Sequence, residues 1–268
     1  MTDDPRPIVF MTDYGLADEF VGVCHGVIER ICPRARVIDL THMIARQSVL
    51  QGAVVLGRAA PYMPAAAVHL AVVDPGVGTS RRPVAVEALS GAVLVGPDNG
   101  VLSMAWRALG GAARAVEIAA EDVVLHPVSR TFHGRDVFAP AAAHVAGGSP
   151  VERLGPQIEI ASLVSLNLPA PMVTPGAIGA RVVAVDGFGN VQLNATPEDL
   201  VTAGLADRVT IGSDVLPIAE TFADVGEGQP ALIVDAQHLL AIIVNRGSAS
   251  GVFGLHPGDA VTISRAPS

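Results

Sequence analysis

Asp74 closes the apolar run His69-Leu70-Ala71-Val72-Val73, and Arg81 and Arg82 follow seven and eight positions later, across Pro75, Gly76 and Gly78. A carboxylate at a strand's end, a turn forced by Pro and Gly, and two guanidinium groups form a unit that can hold a small polar ligand against the backbone. The same residue types recur after other apolar runs. Asp13 follows residues 7–11, Thr41-His42 follows 36–40, Asp98-Asn99 follows 93–96, and His133 leads Gly134-Arg135-Asp136. Each alone reads equally well as a surface turn, with Asp74 capping a helix, His133 bonded to backbone and Arg135-Asp136 a local ion pair at a helix start. Several such clusters in one sheet point instead to a pocket, because α/β sheets gather functional groups where strands run out into loops. Asp, Arg and His together can manage water and its protons: arginine carries a fixed charge and histidine titrates near neutrality.

The elements that must position these residues follow from hydrophobic periodicity. Residues 7–11, 36–40 and 69–73 read as strands, and 20–31 and 48–60 as helices; Phe20, Val23, Val27 and Ile31 share one helical stripe, which Pro33 ends. Residues 84–87 and 93–96 flank Ser90-Gly91 as a hairpin, 101–109 and 137–145 read as helices, and 123–126 fits strand or loop. This alternation predicts an α/β N-terminal domain with a mostly parallel mixed sheet between helices. Pro150, Pro156, Pro169, Pro171 and Pro175 mark a linker within about 150–175, dividing domains at 1–160 and 161–268. Short strand candidates follow at 177–185, 190–193, 209–211, 231–234, 239–244 and 260–264, and only 197–203 looks helical. They predict a C-terminal all-β barrel domain.

The 268 residues are 50% hydrophobic and only 16% charged, ample material for two cores, and the net charge of −9 argues against nucleic-acid binding. Aromatics are 4%, so each exposed one merits a question. Cys24 and Cys32 sit eight residues apart in a helical pattern. About 12 Å of helix separates them, too far for a disulfide, which favours a reducing cytoplasm. The acidic start Met1-Thr2-Asp3-Asp4-Pro5 lacks a signal-peptide core, and no apolar run reaches the roughly 18–20 residues of a membrane span. His25, His42, His69, His126 and His133 are scattered without metal-ligand spacing, so no metal site is expected. Neither a Walker lysine nor a dinucleotide fingerprint is present, and Gly247-Ser248-Ala249-Ser250-Gly251 lacks the strand-to-helix elbow of a nucleophilic serine.

Six segments, in order, carry a family resemblance. They are Thr12-Asp13-Tyr14-Gly15 with Asp18-Glu19-Phe20-Val21-Gly22; Asp39-Leu40-Thr41-His42; Asp74-Pro75-Gly76-Val77-Gly78-Thr79-Ser80-Arg81-Arg82; Pro97-Asp98-Asn99-Gly100; Phe132-His133-Gly134-Arg135-Asp136; and Asp186-Gly187-Phe188-Gly189-Asn190. From Thr12 to the C-terminus the chain resembles the S-adenosyl-L-methionine hydrolases (SAM hydroxide adenosyltransferases), relatives of the fluorinase and chlorinase. The resemblance implies an α/β domain followed by a β-barrel, a homotrimer, and a site between the N-terminal domain of one subunit and the C-terminal domain of its neighbour. The reaction it implies is displacement of methionine from ribose C5′ by water, giving adenosine and L-methionine with no metal or redox cofactor.

The family's catalytic set falls on Asp74, Arg81 and His133, its ribose-binding acid on Asp13, and its methionine and adenine contacts on Asp186, Phe188 and Asn190. Gln47 resembles the strand-end glutamine that lines the pocket, and Asn245-Arg246 fits the segment facing the adenine edge. One departure is Asp235-Ala236-Gln237-His238, where the family carries Asn-Ser-x-Gly with its serine at the methionine end. Two other functions fit the framework less well. A halide-using transferase is disfavoured by Asp74, which stands where the halogenating relatives carry tyrosine and would repel an anion. A non-catalytic adenosine or sulfonium-binding protein would not need Asp74, Arg81 and His133 together.

Overall fold

The computed structural model describes residues 4–267, in two compact units, Met1–Asn167 and Leu168–Ser268. In the first unit, β1 (Ile8–Thr12), β3 (Val68–Val72) and β5 (Val93–Pro97) are buried at every position, as strands covered on both faces must be. With β2 (Val37–Thr41), β4 (Pro83–Ala88) and β6 (Ala112–Glu117) they form a sheet of order β2-β1-β3-β5-β4-β6. The β1–β2, β1–β3 and β3–β5 pairings are parallel, and β4 is antiparallel to both β5 and β6. Strand alternation builds two cores. Ile8, Phe10, Leu70 and Val72 face α1 (Phe20–Ile31) and α4 (Ala139–Ala146), while Met11, Ala71, Val73 and Leu94 face α2 (Val49–Ala59) and α3 (Ser103–Ala108).

The predicted β4–β5 hairpin is present, with Val86 opposite Leu94. β6 went unread in the sequence: its alanines carry helix propensity, and pairing with β4 overrides it. Residues 123–126 form turns and coil rather than a strand. The proline-rich segment folds onto the first unit as far as Asn167. Asp98 accepts the Val164 N–H at 2.8 Å, Ser103 Oγ accepts that of Leu166 at 3.0 Å, and Arg107 bonds Ser165, Leu166 and Asn167.

The second unit is a barrel-like antiparallel arrangement. Strands β8 (Ala177–Val185), β9 (Val191–Leu193), β10 (Arg208–Ile211), β11 (Asp214–Pro217), β12 (Pro230–Val234), β13 (Leu240–Val244) and β14 (Ala260–Arg265) run in the order β11-β10-β14-β8-β9-β13-β12, with β7 (Met172–Thr174) on β8. An Ile218–Leu232 bridge between the two ends of this order nearly closes it. It is not all-β. Besides α5 (Pro197–Ala203), capped by a Thr196–Asp199 capping box, it holds the short α6 (Ala249–Phe253), where Ser248 Oγ accepts the Gly251 N–H at 3.0 Å. One turn of helix is too short to show periodicity.

Cys24 and Cys32 are buried free thiols, and no helix among the described residues is long and apolar enough to cross a membrane. His69 is enclosed within β3, and neither ring nitrogen finds a hydrogen-bond partner among the described residues. Burial, helped by the charge of Arg6, pushes its imidazole down to about 4. An unfolded histidine takes its proton near 6.5, so between there and about 4 the unfolded state binds more protons. This group's contribution to stability is therefore complete above pH 6.5 and falls by about 1.4 kcal/mol per unit as pH drops through that window. Urea denaturation of wild type and His69→Leu at pH 7, 5.5 and 4.5 should show a shallower acid loss in the variant.

Candidate active site

Asp74 lies two residues beyond β3, and the loop after it turns back on itself. Val77 N–H donates to the Asp74 carbonyl at 3.3 Å, Thr79 N–H and Oγ1 both donate to the Gly76 carbonyl, and Arg81 N–H donates to Thr79 Oγ1. These bonds return Arg81 to Asp74. Its Nε donates to Asp74 Oδ1 at 3.1 Å and its Nη2 to Oδ2, a side-on fork whose two side chains are 7% and 6% exposed. Gly78 is required here: its φ is +76°, and a Cβ would strike the carbonyl of Arg130. That contact draws the loop against the segment that bears His133.

Arg81 Nη2 also donates to His133 Nδ1 at 3.0 Å. Arginine cannot accept, so Nδ1 is unprotonated and the neutral ring carries its proton on Nε2. Burial, then the Arg81 charge, hold His133 below its usual value against the opposing pull of Asp74 and Asp136. Arg81 Nη1 is buried with no partner among the described residues, an unspent pair of donors on a fixed charge.

Asp74 and His133 line a cavity of about 170 Å³ together with Asp13, Gln47, Tyr14 and Gly134. Arg81, itself outside this lining, bonds both Asp74 and His133. Asp13 Oδ2 accepts the Gln47 N–H at 2.8 Å. Gln47 is not at a strand end, as expected, but in the loop after β2, with φ +62°. A non-glycine residue there is held by its surroundings, and such positions cluster at functional sites. Sequence reasoning missed Tyr14, one of only two tyrosines, although it directly follows Asp13. Burial raises its phenol well above the usual value, so it stays a neutral hydroxyl. Its ring meets Phe20 and Phe132 edge-on.

In the second unit Phe188, Asn190, Asn245 and Arg246 line a larger cavity of about 580 Å³, with Phe222, Val244 and Gly247. Phe188 is 82% exposed. Asp186 does not line this cavity. Its carboxylate accepts from Phe188 N, Asn190 N and Asn190 Nδ2 at 2.8–2.9 Å and so shapes the turn that presents the aromatic ring.

Other predicted clusters have structural partners. Arg82 pairs with the buried carboxylate of Asp98 and with Ser162. Asn99 Nδ2 donates to the Val73 carbonyl at 2.8 Å. Arg135 forks onto Asp136, which also accepts from Ser129. Residues 235–238 form the turn joining β12 to β13. Asp235 Oδ1 accepts from Gln237 N and Leu239 N there, at the opposite end of β13 from Asn245 and Arg246. Five residues of strand, about 16 Å, separate the two. The departure at 235–238 therefore lies away from this cavity.

An α/β unit with an acid–guanidinium–imidazole chain beyond its strand ends, followed by an antiparallel barrel-like unit presenting an aromatic cavity, defines a two-domain protein class with a small-ligand site. The chain belongs to the SAM hydroxide adenosyltransferase family: residues 8–155 match its N-terminal domain and 180–262 its C-terminal domain. It is 49% identical to the "(R)-S-adenosyl-L-methionine hydrolase" of Salinispora tropica over 97% of this chain and 98% of that protein. A "Fluorinase" of Actinopolyspora mzabensis is 29% identical over 97% and 98% of the two chains. A crystal structure of an uncharacterized conserved protein from Thermotoga maritima superposes with a TM-score of 0.87 at 37% identity, covering 96% of this chain and all of that one.

A Cβ at Gly134 would strike the Tyr14 hydroxyl. Gly134→Ala should therefore lose about 1–3 kcal/mol, the usual cost of overpacking. Removing the colliding oxygen with Tyr14→Phe should recover part of that loss, which a double-mutant cycle by chemical denaturation measures directly.

Proposed function

We propose that this chain hydrolyses S-adenosyl-L-methionine to adenosine and L-methionine, by attack of water on ribose C5′ at the site of Asp74, Arg81 and His133. The observation that carries this reading is the Asp74–Arg81–His133 chain at the wall of a cavity that also holds Asp13, in a chain of this family. The substrate is a sulfonium cation. Asp13 and Asp74 against Arg81, with His133 neutral, leave the wall with an excess of negative charge that suits it and repels a halide.

When the C5′–S bond breaks, its electron pair neutralises sulfur, so methionine leaves without a general acid. The water oxygen forms the new C5′–O bond and gives up one proton. Placing that water and stabilising its hydroxide character is the whole catalytic demand. In this reading the fixed charge of Arg81 stabilises the hydroxide character, Asp74 holds the water and takes its proton towards solvent, and His133 Nε2–H orients it. A proton relay through His133 would need an empty Nε2, which the Arg81 bond to Nδ1 disfavours. Asp13 binds the ribose hydroxyls, Gln47 lines the pocket, and Asp186 acts through the turn that carries Phe188 and Asn190. No metal or redox cofactor enters the reaction.

The 170 Å³ cavity is smaller than the roughly 300–1,000 Å³ that encloses a ligand of this size, which supports completing the site with a second surface. The surface proposed is the Phe188, Asn190, Asn245 and Arg246 face of a neighbouring subunit in a homotrimer. Light scattering should report three chains, and full activity from a stable monomer would overturn that assembly.

Steady-state adenosine release and calorimetric affinity test the residue roles. Arg81→Ala should lower kcat by about 10²–10³, with Arg81→Lys recovering only part, because a point charge cannot replace the fork. A wild-type kcat with weakened affinity would make Arg81 a binding residue. Asp13→Ala should weaken binding by about 1.5–3 kcal/mol. Acid should abolish activity with an apparent pKa below 6.5, because protonated His133 repels Arg81, and His133→Ala should remove that limb. Arg82→Ala should retain kcat while losing stability, since it strands the buried Asp98 carboxylate.

A further inference from the structure

Histidines that look scattered in sequence meet around one carboxylate. His25, on α1, and His42, just past β2, both direct Nε2 at Asp39 Oδ1, at 2.9 and 3.0 Å. Asp39 projects from β2 on the face it shares with Phe10, its register partner, and the Phe10 ring packs against both imidazoles at centroid distances of 5.8 and 4.8 Å. Hydrogen bonds from the two histidines hold the Asp39 carboxyl below its usual value despite the opposing push of burial. None of the three residues lines the candidate active-site cavity.

We propose that His25, Asp39 and His42 form a site for a borderline transition-metal ion, Zn²⁺ in the first instance, that clamps helix α1 to the edge strand β2. The three ligand atoms lie within 4.8 Å of one another. Tetrahedral ligands at about 2.0–2.1 Å from zinc stand about 3.3 Å apart, so the 2.9 and 3.0 Å edges need only tenths of an ångström. His25, a third exposed, supplies the larger adjustment towards His42. Two imidazoles and one carboxylate suit zinc and its neighbours rather than magnesium or calcium, which prefer oxygen alone.

A second observation points the same way. His42, 3% exposed, meets Thr12 Oγ1 through Nδ1 at 2.9 Å. Metal-ligating histidines characteristically anchor the other ring nitrogen in this manner. With zinc on Nε2 the neutral ring carries its proton on Nδ1, and Thr12 Oγ1 accepts it. The half-exposed Asp39 leaves the fourth position open to water. The ion would be structural. The His42 carbonyl accepts the Gly15 N–H at 2.8 Å, so a clamp on His42 also steadies the turn after Asp13.

The test uses the full, untagged chain, stripped with chelator and titrated with Zn²⁺ by calorimetry, with Co²⁺ absorption as the spectroscopic readout. One ion per chain should bind with micromolar or tighter affinity, and Co²⁺ should give the visible bands of nitrogen–oxygen coordination. Losing even an outer-shell partner of a metal ligand costs about 10–100-fold, so His25→Gln and Asp39→Asn should each weaken binding at least that much. Both positions are solvent-accessible, and circular dichroism checks that the variants fold. His238→Gln, at an exposed pair with Glu198, should bind as wild type does. The proposal is overturned if wild type shows no saturable uptake, if His25→Gln and Asp39→Asn bind undiminished, or if His238→Gln alone abolishes binding.

Discussion

A buried ion pair, Asp74 with Arg81, governs the form of the N-terminal site. Taking both charges out of water costs several kcal/mol per ion before any attraction is counted. The chain offsets this with the best geometry available to the pair, a side-on fork, and with a third partner, His133, on the same guanidinium nitrogen. The surrounding loop is shaped by that requirement. Gly76 and Thr79 fold it back, and Gly78 lets it touch the backbone of Arg130, beside the histidine. Replacing Asp74 or Arg81 leaves the other as an uncompensated buried charge.

The same pair explains the electrostatics of the cavity. Arg81 is spent on Asp74 and His133 at two of its nitrogens, and its buried Nη1 has no partner among the described residues. A fixed cation thus stands between a carboxylate and a neutral imidazole that both line the cavity. Tyr14, kept neutral by burial, closes the wall with an aromatic cluster of Phe20 and Phe132. In the barrel-like unit the ring of Phe188 has the opposite character: it is exposed, on a turn whose backbone N–H groups bond the carboxylate of Asp186.

Much of this was legible in the residues. Apolar runs of five residues ending in acids located β1, β3 and the ends where Asp13 and Asp74 stand. Six ordered segments carried the family. The misreadings have local causes: β6 is alanine-rich and owes its strand to pairing with β4, and α6 is a single turn. Gln47 is matched through the family resemblance alone; it borders the cavity, but from the loop after β2. The carboxylate of Asp186 bonds the backbone of its own turn, an arrangement that the residue order alone does not show.

The sequence by itself determined the alternation of buried and exposed positions, the breaks at Pro and Gly, and the order of the polar residues, because these depend on side-chain chemistry and spacing along one strand or helix. Only the tertiary structure decided which polar residues meet. Arg81 and Arg82 are adjacent and equally charged, yet one returns to Asp74 and the other reaches Asp98, since successive side chains leave the backbone in opposite directions. His42 meets Asp39 from three residues along the chain, and His25 joins them only because α1 packs over the face of the sheet that Phe10 and Asp39 share. Contacts between elements are set by packing of the whole core, and no local pattern encodes them.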